Sequence, residues 1–349
     1  MKKLAPLSVL VTAATITTGG LAQTASTATI YGLYDAATRS VSNANAQRRR
    51  LLTMEDGIFT GTRLGFRVNE SLGGGYSAQA LLEMGIDPST GTSLQGTTTA
   101  DYGQVGASTR SFGREAHVRL VAPWGSVRLG RQYTVAHTLA ARFQPLGNPN
   151  STAHSLFSSH HIARQDNMVR LDGNVAGVEL TASRTLGEQA GSDANSSWAA
   201  GLGYSGSGFA LGAYAQQMKN LAGTETRKVL GAGGNVKLGS TLALFGGVMQ
   251  RSHDVSPQKN KAWTLGANVE LGPAVTLSVA YIDDQQSGSA ALKGSRKVAW
   301  VSASYRLSKR TDVYAVLDQN VVDGGYTRPS FMGTKGTQTG TAVGLRHRF

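Results

Sequence analysis

FGREAHVRLVAPWGSVRLGRQYT, residues 112–134, consists of two alternating runs around a tight break at Pro123-Trp124-Gly125. In the first run Ala116, Val118, Leu120 and Ala122 fall on one face, opposite Glu115, His117 and Arg119. In the second, Val127 and Leu129 oppose Arg128 and Gln132. A period of two marks a strand with one apolar and one polar face. The segment Thr134 to Ala163 follows with no such period. A structureless stretch of about thirty residues argues against a compact domain unless it has a role of its own.

The same alternation recurs outward from this stretch. Leu64, Phe66 and Val68 oppose Arg63, Gly65 and Arg67, and Trp263, Leu265, Ala267 and Val269 oppose Thr264, Gly266 and Asn268. A soluble sandwich also alternates, so two further features decide. Aromatic residues stand at the ends of the apolar faces: Trp198, Tyr204, Phe209, Trp263, Tyr281 and Tyr305. Such placement suits the interfacial girdles of a membrane barrel. Connections also alternate in length. Short breaks such as Ser71–Gly74, Asn174–Gly177 and Ser308–Arg310 alternate with long polar ones such as Ser40–Gly57, Asp87–Arg110 and Asn320–Gln338. Together they predict an all-β fold, a 16-stranded antiparallel transmembrane β-barrel with the third external loop (Thr134–Ala163) folded into the lumen. The last strand, Thr339 to Phe349, has no chain after it, so its edge is expected to pair with the first, near Thr29–Arg39.

Composition agrees with an exported barrel. The 349 residues include 44 glycines, 8 prolines and no cysteine, which excludes disulfides and thiolate metal sites. A net charge of +13 raises nucleic acid as a partner. The basic residues are spread singly through alternating strands rather than clustered on a helix, so no nucleic-acid role is expected. Residues 1–22 read as a secretory signal: Lys2 and Lys3, then an apolar run from Leu4 to Ile16, then Gly20-Leu21-Ala22. The barrel domain is expected over residues 23–349, and no later run is long and apolar enough for a spanning helix.

Six stretches carry a resemblance. IYGLYDAA (Ile30–Ala37), RLGFRVNESLGGGYSAQALLEMG (Arg63–Gly85), the 112–134 stretch, RQDNMVR (Arg164–Arg170), LSKRTDVYA (Leu307–Ala315) and the ending GLRHRF resemble the general trimeric porins of β- and γ-proteobacterial outer membranes. The resemblance implies a sixteen-stranded passive diffusion channel for small hydrophilic solutes and ions, assembled as a homotrimer in the outer membrane. It also implies a second external loop (Asp87–Arg110) that reaches over a neighbouring subunit. In that family the third loop often carries an acidic Pro-Glu-Phe-Gly-like turn. Here the corresponding residues are Gln144-Pro145-Leu146-Gly147, and Thr134–Ala163 contains no Asp or Glu.

Strand parity predicts which charges line the pore. Arg39, Arg63, Arg67, Arg119, Arg128 and Arg170 point inward, together with Asp35, Glu83 and Glu115. Arg131 breaks parity unless Gly130 forms a bulge, and Arg142 lies in the third loop. Guanidinium groups stay charged at any relevant pH, so the set predicts an anion preference that fades with salt. The bland reading of the same residues is ion pairing with Glu83 and Glu115 that stiffens the wall. His137, His154, His160 and His161 crowd the third loop, but without carboxylates they read as ordinary polar residues; neither metal nor cofactor is expected. Arg48-Arg49-Arg50 reads first as a solvated charge run, with lipopolysaccharide phosphates and outer-membrane lipid as its functional partners. No Ser/His/Asp constellation or Gly-x-Ser-x-Gly context supports an enzyme. The alternatives are a substrate-specific outer-membrane channel and a structural or adhesin-like barrel.

Overall fold

In hydrocarbon every backbone N–H and C=O must find a partner within the protein. The computed structural model, which describes residues 26–349, achieves this by closing one antiparallel sheet on itself. The expected signal segment, residues 1–22, lies outside the described residues. The first part of the sheet holds β1 (Thr27–Val41), β2 (Leu51–Asp56), β3 (Arg63–Gly73), β4 (Tyr76–Ile86), the two-residue β5 (Ser93–Leu94), β6 (Glu115–Ala122) and β7 (Gly125–Tyr133). After the third loop come β8 (Arg164–Val175), β9 (Val178–Thr185), β10 (Ser197–Gly206), β11 (Phe209–Lys219) and β12 (Thr226–Leu238). The sheet ends with β13 (Leu242–His253), β14 (Lys259–Glu270), β15 (Val275–Ser287), β16 (Gly294–Arg306), β17 (Thr311–Gly324) and β18 (Gly336–Arg348). With β2 and β3 taken as halves of one wall strand and β5 left out, sixteen strands form the barrel. β18 closes it beside β1, from Leu33 opposite Arg348 to Val41 opposite Gly340. Gly32 and the terminal Phe349 exchange two 3.0 Å backbone hydrogen bonds.

The turns fall at the expected breaks, whereas several long loops are shorter than the sequence suggests. β15 continues to Ser287 and β17 to Gly324, past the positions where their loops were expected to begin. The larger difference lies in the first external connection, expected as loop over Ser40–Gly57. Its second half is β2, paired to the upper part of β1 (Ala36 opposite Asp56, Val41 opposite Leu51). Residues 57–62 then leave the sheet before β3 resumes the pairing. Gly57 makes the departure possible at φ +37°, and Ile58 and Phe59 become buried. Phe59 stacks on Tyr314 with centroids 4.1 Å apart.

The exposed face is apolar, as a lipid-facing wall requires: Leu202, Leu230, Val248, Leu265 and Val301 are all exposed. Trp198, Tyr204, Phe209, Trp263 and Tyr305 are exposed with them. The opposite face was expected to be polar throughout, and over β10–β16 it is not. Met218, Val229, Met249, Ile282, Val298 and Trp300 stand on it and form one core with Val135, Leu139, Phe143, Leu156 and Phe157 of the Thr134–Ala163 loop. Glycines clear space for this contact. A Cβ at Gly201 would meet Leu139 Cδ1 at 2.3 Å, one at Gly247 would meet Phe143 at 2.7 Å, and one at Gly266 would meet Pro145 at 2.5 Å. Part of the high glycine content is therefore a smooth bed for the loop.

Candidate functional site

One cross-strand row starts in the stretch 112–134. β6 pairs with β7 so that Arg119 lies opposite Arg128, and β7 pairs with β8 so that Arg128 lies opposite Arg170. Three guanidinium groups thus stand side by side on adjacent strands, with Gln79 next in the row on β4. One carboxylate serves two of them. Asp172 accepts from Arg128 Nη2 and Arg170 Nε, each at 2.9 Å. Arg119 has no acid within ion-pair distance among the described residues. Arg170 also ties the wall to the loop by donating to the Tyr133 carbonyl (3.1 Å) and to Thr138 Oγ1 (3.3 Å).

The other expected lining residues divide by their partners. Arg39 is buried and bidentate on Asp318 at 2.8 and 3.0 Å, with Ser151 Oγ at 3.3 Å, so it is a fixture beneath the loop rather than a cation open to water. Asp35 is fully buried and accepts from Tyr314 Oη at 2.5 Å and from the Thr60 amide at 3.1 Å. Glu83 accepts from Arg114 Nε (2.7 Å) and Tyr31 Oη (2.8 Å), with Arg63 Nη1 farther away at 3.7 Å. Glu115 lies 3.2 Å from His117 Nε2. Arg67 is exposed and lies over the Tyr31 ring. A bulge does interrupt β7 between Gly130 and Gln132, yet Arg131 joins no arginine row. It donates to the Gly113 carbonyl (2.8 Å) and pairs with Asp166 (2.9 Å), which also accepts from Arg110 in the second external loop. Arg142 pairs with Glu179 at 2.5 Å.

Two arginines complete the arrangement that strand parity did not reveal. Arg114 precedes β6 and Arg164 opens β8, and both donate to Tyr133 Oη. With Arg63, Asn148 and Asn150 they line a polar cavity of about 210 Å³ between the wall and the loop. Arg164 has no carboxylate within ion-pair distance among the described residues, while Arg114 is matched by Glu83. Their signal in the sequence was position: each adjoins the end of a long loop, where parity gives no inward or outward assignment.

The loop itself is held by acids on the wall. Its base closes where the Thr134 amide donates to the Ala163 carbonyl at 3.0 Å. Thr134 Oγ1 also caps α1 (Val135–Ala140) by accepting from the His137 amide. Farther along, Arg142 meets Glu179, His154 lies 3.2 Å from Asp318, and His160 lies 2.9 Å from Asp284. Arg296 donates to the Thr152 carbonyl and Asn320 to the Ala153 carbonyl. The loop thus touches β1, β9, β12, β15, β16 and β17, on the face opposite the exposed Trp198 and Leu202.

His160 and His161, in α2 (Ser158–His161), are buried. Burial disfavours the charged imidazolium and lowers both; it outweighs Asp284 at His160, and brings His161 down to about 3. An opened loop binds protons below about pH 6.5, whereas the packed loop does not. The packed loop is therefore fully stable above that pH and loses stability as pH falls towards 3. Protease cleavage within residues 134–163 is expected at pH 4.5 and not at pH 7, with the barrel still resistant to SDS; equal protection at both pH values would contradict this.

Comparison with known proteins agrees with the architecture. A family model described as Gram-negative porin matches residues 9–325. An outer membrane porin protein of Bordetella pertussis is 30% identical over 165 residues, which is 43% of this chain and 40% of that protein's length. Among solved structures, the anion-selective porin from Comamonas acidovorans superposes with a TM-score of 0.76 at 22% identity, over 93% of this chain and 100% of that one. OmpT of Vibrio cholerae, an outer membrane protein solved in a trimer form, gives 0.67 at 13% identity over 93% and 100%. A closed sixteen-stranded wall, an apolar outer face and a family match over most of the chain converge: this is a member of the Gram-negative porin family, a barrel of the outer membrane.

Proposed function

We propose that the chain is a passive diffusion channel for small hydrophilic solutes, narrowed by the Thr134–Ala163 loop lying inside the barrel and selective for anions. The observation that carries the reading is charge imbalance. Arg128 and the buried Arg170 share the one carboxylate of Asp172, Arg119 has no acid within ion-pair distance among the described residues, and the loop contributes no acid of its own. Loop anchoring supports the rest. Its apolar side covers the inner faces of β11–β16, which leaves the arginine-bearing wall of β3–β8 as the side open to solutes. A Debye length of about 8 Å at physiological salt lets these charges act across a narrowed opening. The anion-selective Comamonas relative fits the same reading.

Residues 1–22 are proposed to be the export signal and residues 23–349 the barrel domain. A homotrimer is proposed by likeness to the trimeric Vibrio protein; unheated protein should then run in SDS well above monomer size. The partners are outer-membrane lipid and lipopolysaccharide, with the exposed Arg48, Arg49 and Arg50 facing anionic headgroups. A channel rather than an enzyme follows from family and fold. The cavity beside Arg63, Arg114 and Arg164 favours a second reading, a channel specialised for one small anion.

Planar-bilayer recording separates these. Stepwise currents with a chloride-favouring reversal potential are expected in a tenfold potassium chloride gradient. The preference should shrink near 1 M salt, where the Debye length is about 3 Å. Potassium preference at low salt would remove the arginine argument, and block by micromolar concentrations of one anion would establish the second reading.

A further inference from the structure

The far end of the second external loop (Asp87–Arg110) is a short hairpin, with Thr98 bridged to Ala107 and Asp101 to Gln104. Its two tip residues, Tyr102 and Gly103, stand at φ +50° and +83°. A tight hairpin turn uses positive φ at both central positions. Glycine adopts it freely, whereas for a bulky residue it is rare and persists only where the surroundings hold it. Here they do. The Tyr102 ring is buried and belongs to the same apolar core as Val135 of the third loop and Met218 and Val229 of the inner wall. It lies under the Arg227 guanidinium at 4.1 Å, and its hydroxyl donates to Glu225 at 3.2 Å.

Hydrogen bonds seat the tip on its own chain. Gln165 Nε2 donates to the Tyr102 carbonyl (2.6 Å), the Gly103 amide to Asn195 Oδ1 (2.9 Å) and the Asp166 amide to the Gly103 carbonyl (3.0 Å). The Val105 amide donates to Asp166 Oδ2 and the Leu221 amide to Asp101 Oδ1, each at 2.8 Å. Gln165 also accepts from Thr185 and Ser197, a cross-strand pair on the face opposite the lipid-exposed Trp198. The tip therefore lies inside the mouth of its own barrel, beside the start of the third loop. The fit is close, since a Cβ at Gly103 would stand 2.6 Å from Gln165 Nε2. Swinging the tip out to a neighbouring subunit would leave the buried Gln165 and Asn195 without these partners, at a desolvation cost.

We propose that the second external loop is a roof over the third within one subunit, rather than a strap to the next, and that it sets the size of solute admitted at the external entrance. Tyr102 is its positioning residue: the ring closes the outer end of the core that holds the third loop against β11 and β12, and the bonds around it fix the hairpin across that half of the mouth. Solutes then enter past the roof on the side of the arginine-bearing wall. The inference rests on the channel reading and is independent of anion preference.

The chain has no cysteine, so an introduced pair reports without background. Gln104→Cys with Asn195→Cys, treated with a short bismaleimide in outer-membrane preparations, should give one bridge within a single chain, seen as a monomer band on a heated SDS gel and as one linked peptide pair by mass spectrometry. Covalent dimers or trimers, or no bridge at all, would overturn the seating. Tyr102→Ala tests the role. In proteoliposome swelling, the rate for raffinose relative to arabinose should rise about threefold, since pore diameter governs which neutral solutes pass. Protection of residues 134–163 from protease at pH 7 should be lost, while the mobility of the unheated protein in SDS stays that of the parent. An unchanged raffinose-to-arabinose ratio with an intact third loop would overturn the roof, as would loss of the oligomer band alone, which is the signature of a strap. If Tyr102→Ala does not fold, the bridged cysteine pair decides: holding the hairpin closed should leave the parent's sugar ratio unchanged, and a changed ratio would show that the seated state is not the working one. A parent that passes neither sugar would defeat the channel reading, whereas the bridge still reports where the hairpin lies.

Discussion

Exchange of Arg119 and Arg128 together for glutamate is expected to turn an anion-preferring channel into a cation-preferring one. The two residues face each other across β6 and β7, so the change swings four unit charges within one patch of wall. An ion passing at about 6 Å feels each by roughly 0.7 kcal/mol even at the dielectric constant of water. Screening at 0.1 M salt leaves about half of that, so the four charges move anion and cation by about 1.4 kcal/mol each in opposite senses, roughly a hundredfold change in permeability ratio. The fold should survive. Asp172 keeps Arg170 as a partner, and neither substituted position lies in the loop core. The readout is the sign of the reversal potential in a potassium chloride gradient. If both variant and parent favour chloride equally, selectivity lies elsewhere, with Arg63, Arg114 and Arg164 the next group to test.

The second large effect concerns the loop. Phe143 and Phe157 are fully buried where the loop meets Tyr214, Met218 and Met249, and the two rings touch edge to face at 6.4 Å. Truncation of a buried Phe to Ala costs about 3–5 kcal/mol. Loop segments sit at the low end of local stability, so loss of both rings exceeds what the remaining anchors supply. Phe143→Ala with Phe157→Ala should therefore release the loop while the barrel, whose ladder excludes it, stays closed. Conductance should rise several-fold and anion preference should fall, because the opening then exceeds the reach of the wall charges. An unchanged single-channel conductance with a demonstrably protease-sensitive loop would show that the loop does not narrow the path. Phe143→Leu, which keeps most of the volume, should behave as the parent does.

Period-two alternation made the fold legible. Because a strand shows its two faces in strict turn, Leu64, Phe66 and Val68 announced the lipid side, and Val343 and Leu345 against Gly344 and Arg346 marked the strand that pairs with β1. The shared face of the arginines was legible for the same reason: parity placed Arg119, Arg128 and Arg170 on one side of their strands. Their alignment into a row was not, since cross-strand register depends on turn geometry and bulges rather than on composition. Nor was the fate of Arg39 or Arg131 legible, because each depends on a partner far away or in a loop: Asp318, 279 residues on from Arg39, and Asp166, 35 from Arg131.

The apolar inner wall was hidden for a different reason. Val298 and Trp300 alternate with Ala299 and Val301, so both faces of β16 are apolar and the period carries no information about which one meets lipid. Likewise β2 was concealed within a polar, arginine-rich connection, and only its pairing with β1 makes it a strand. By itself, then, the chain determined that it is a closed, outward-greasy barrel bearing more arginine than acid, since those properties are local and periodic. Which cations remain open to water, and where the aperiodic third loop lies, were decided by tertiary structure alone. Both depend on acids and aromatic rings contributed by strands that only barrel closure brings within reach.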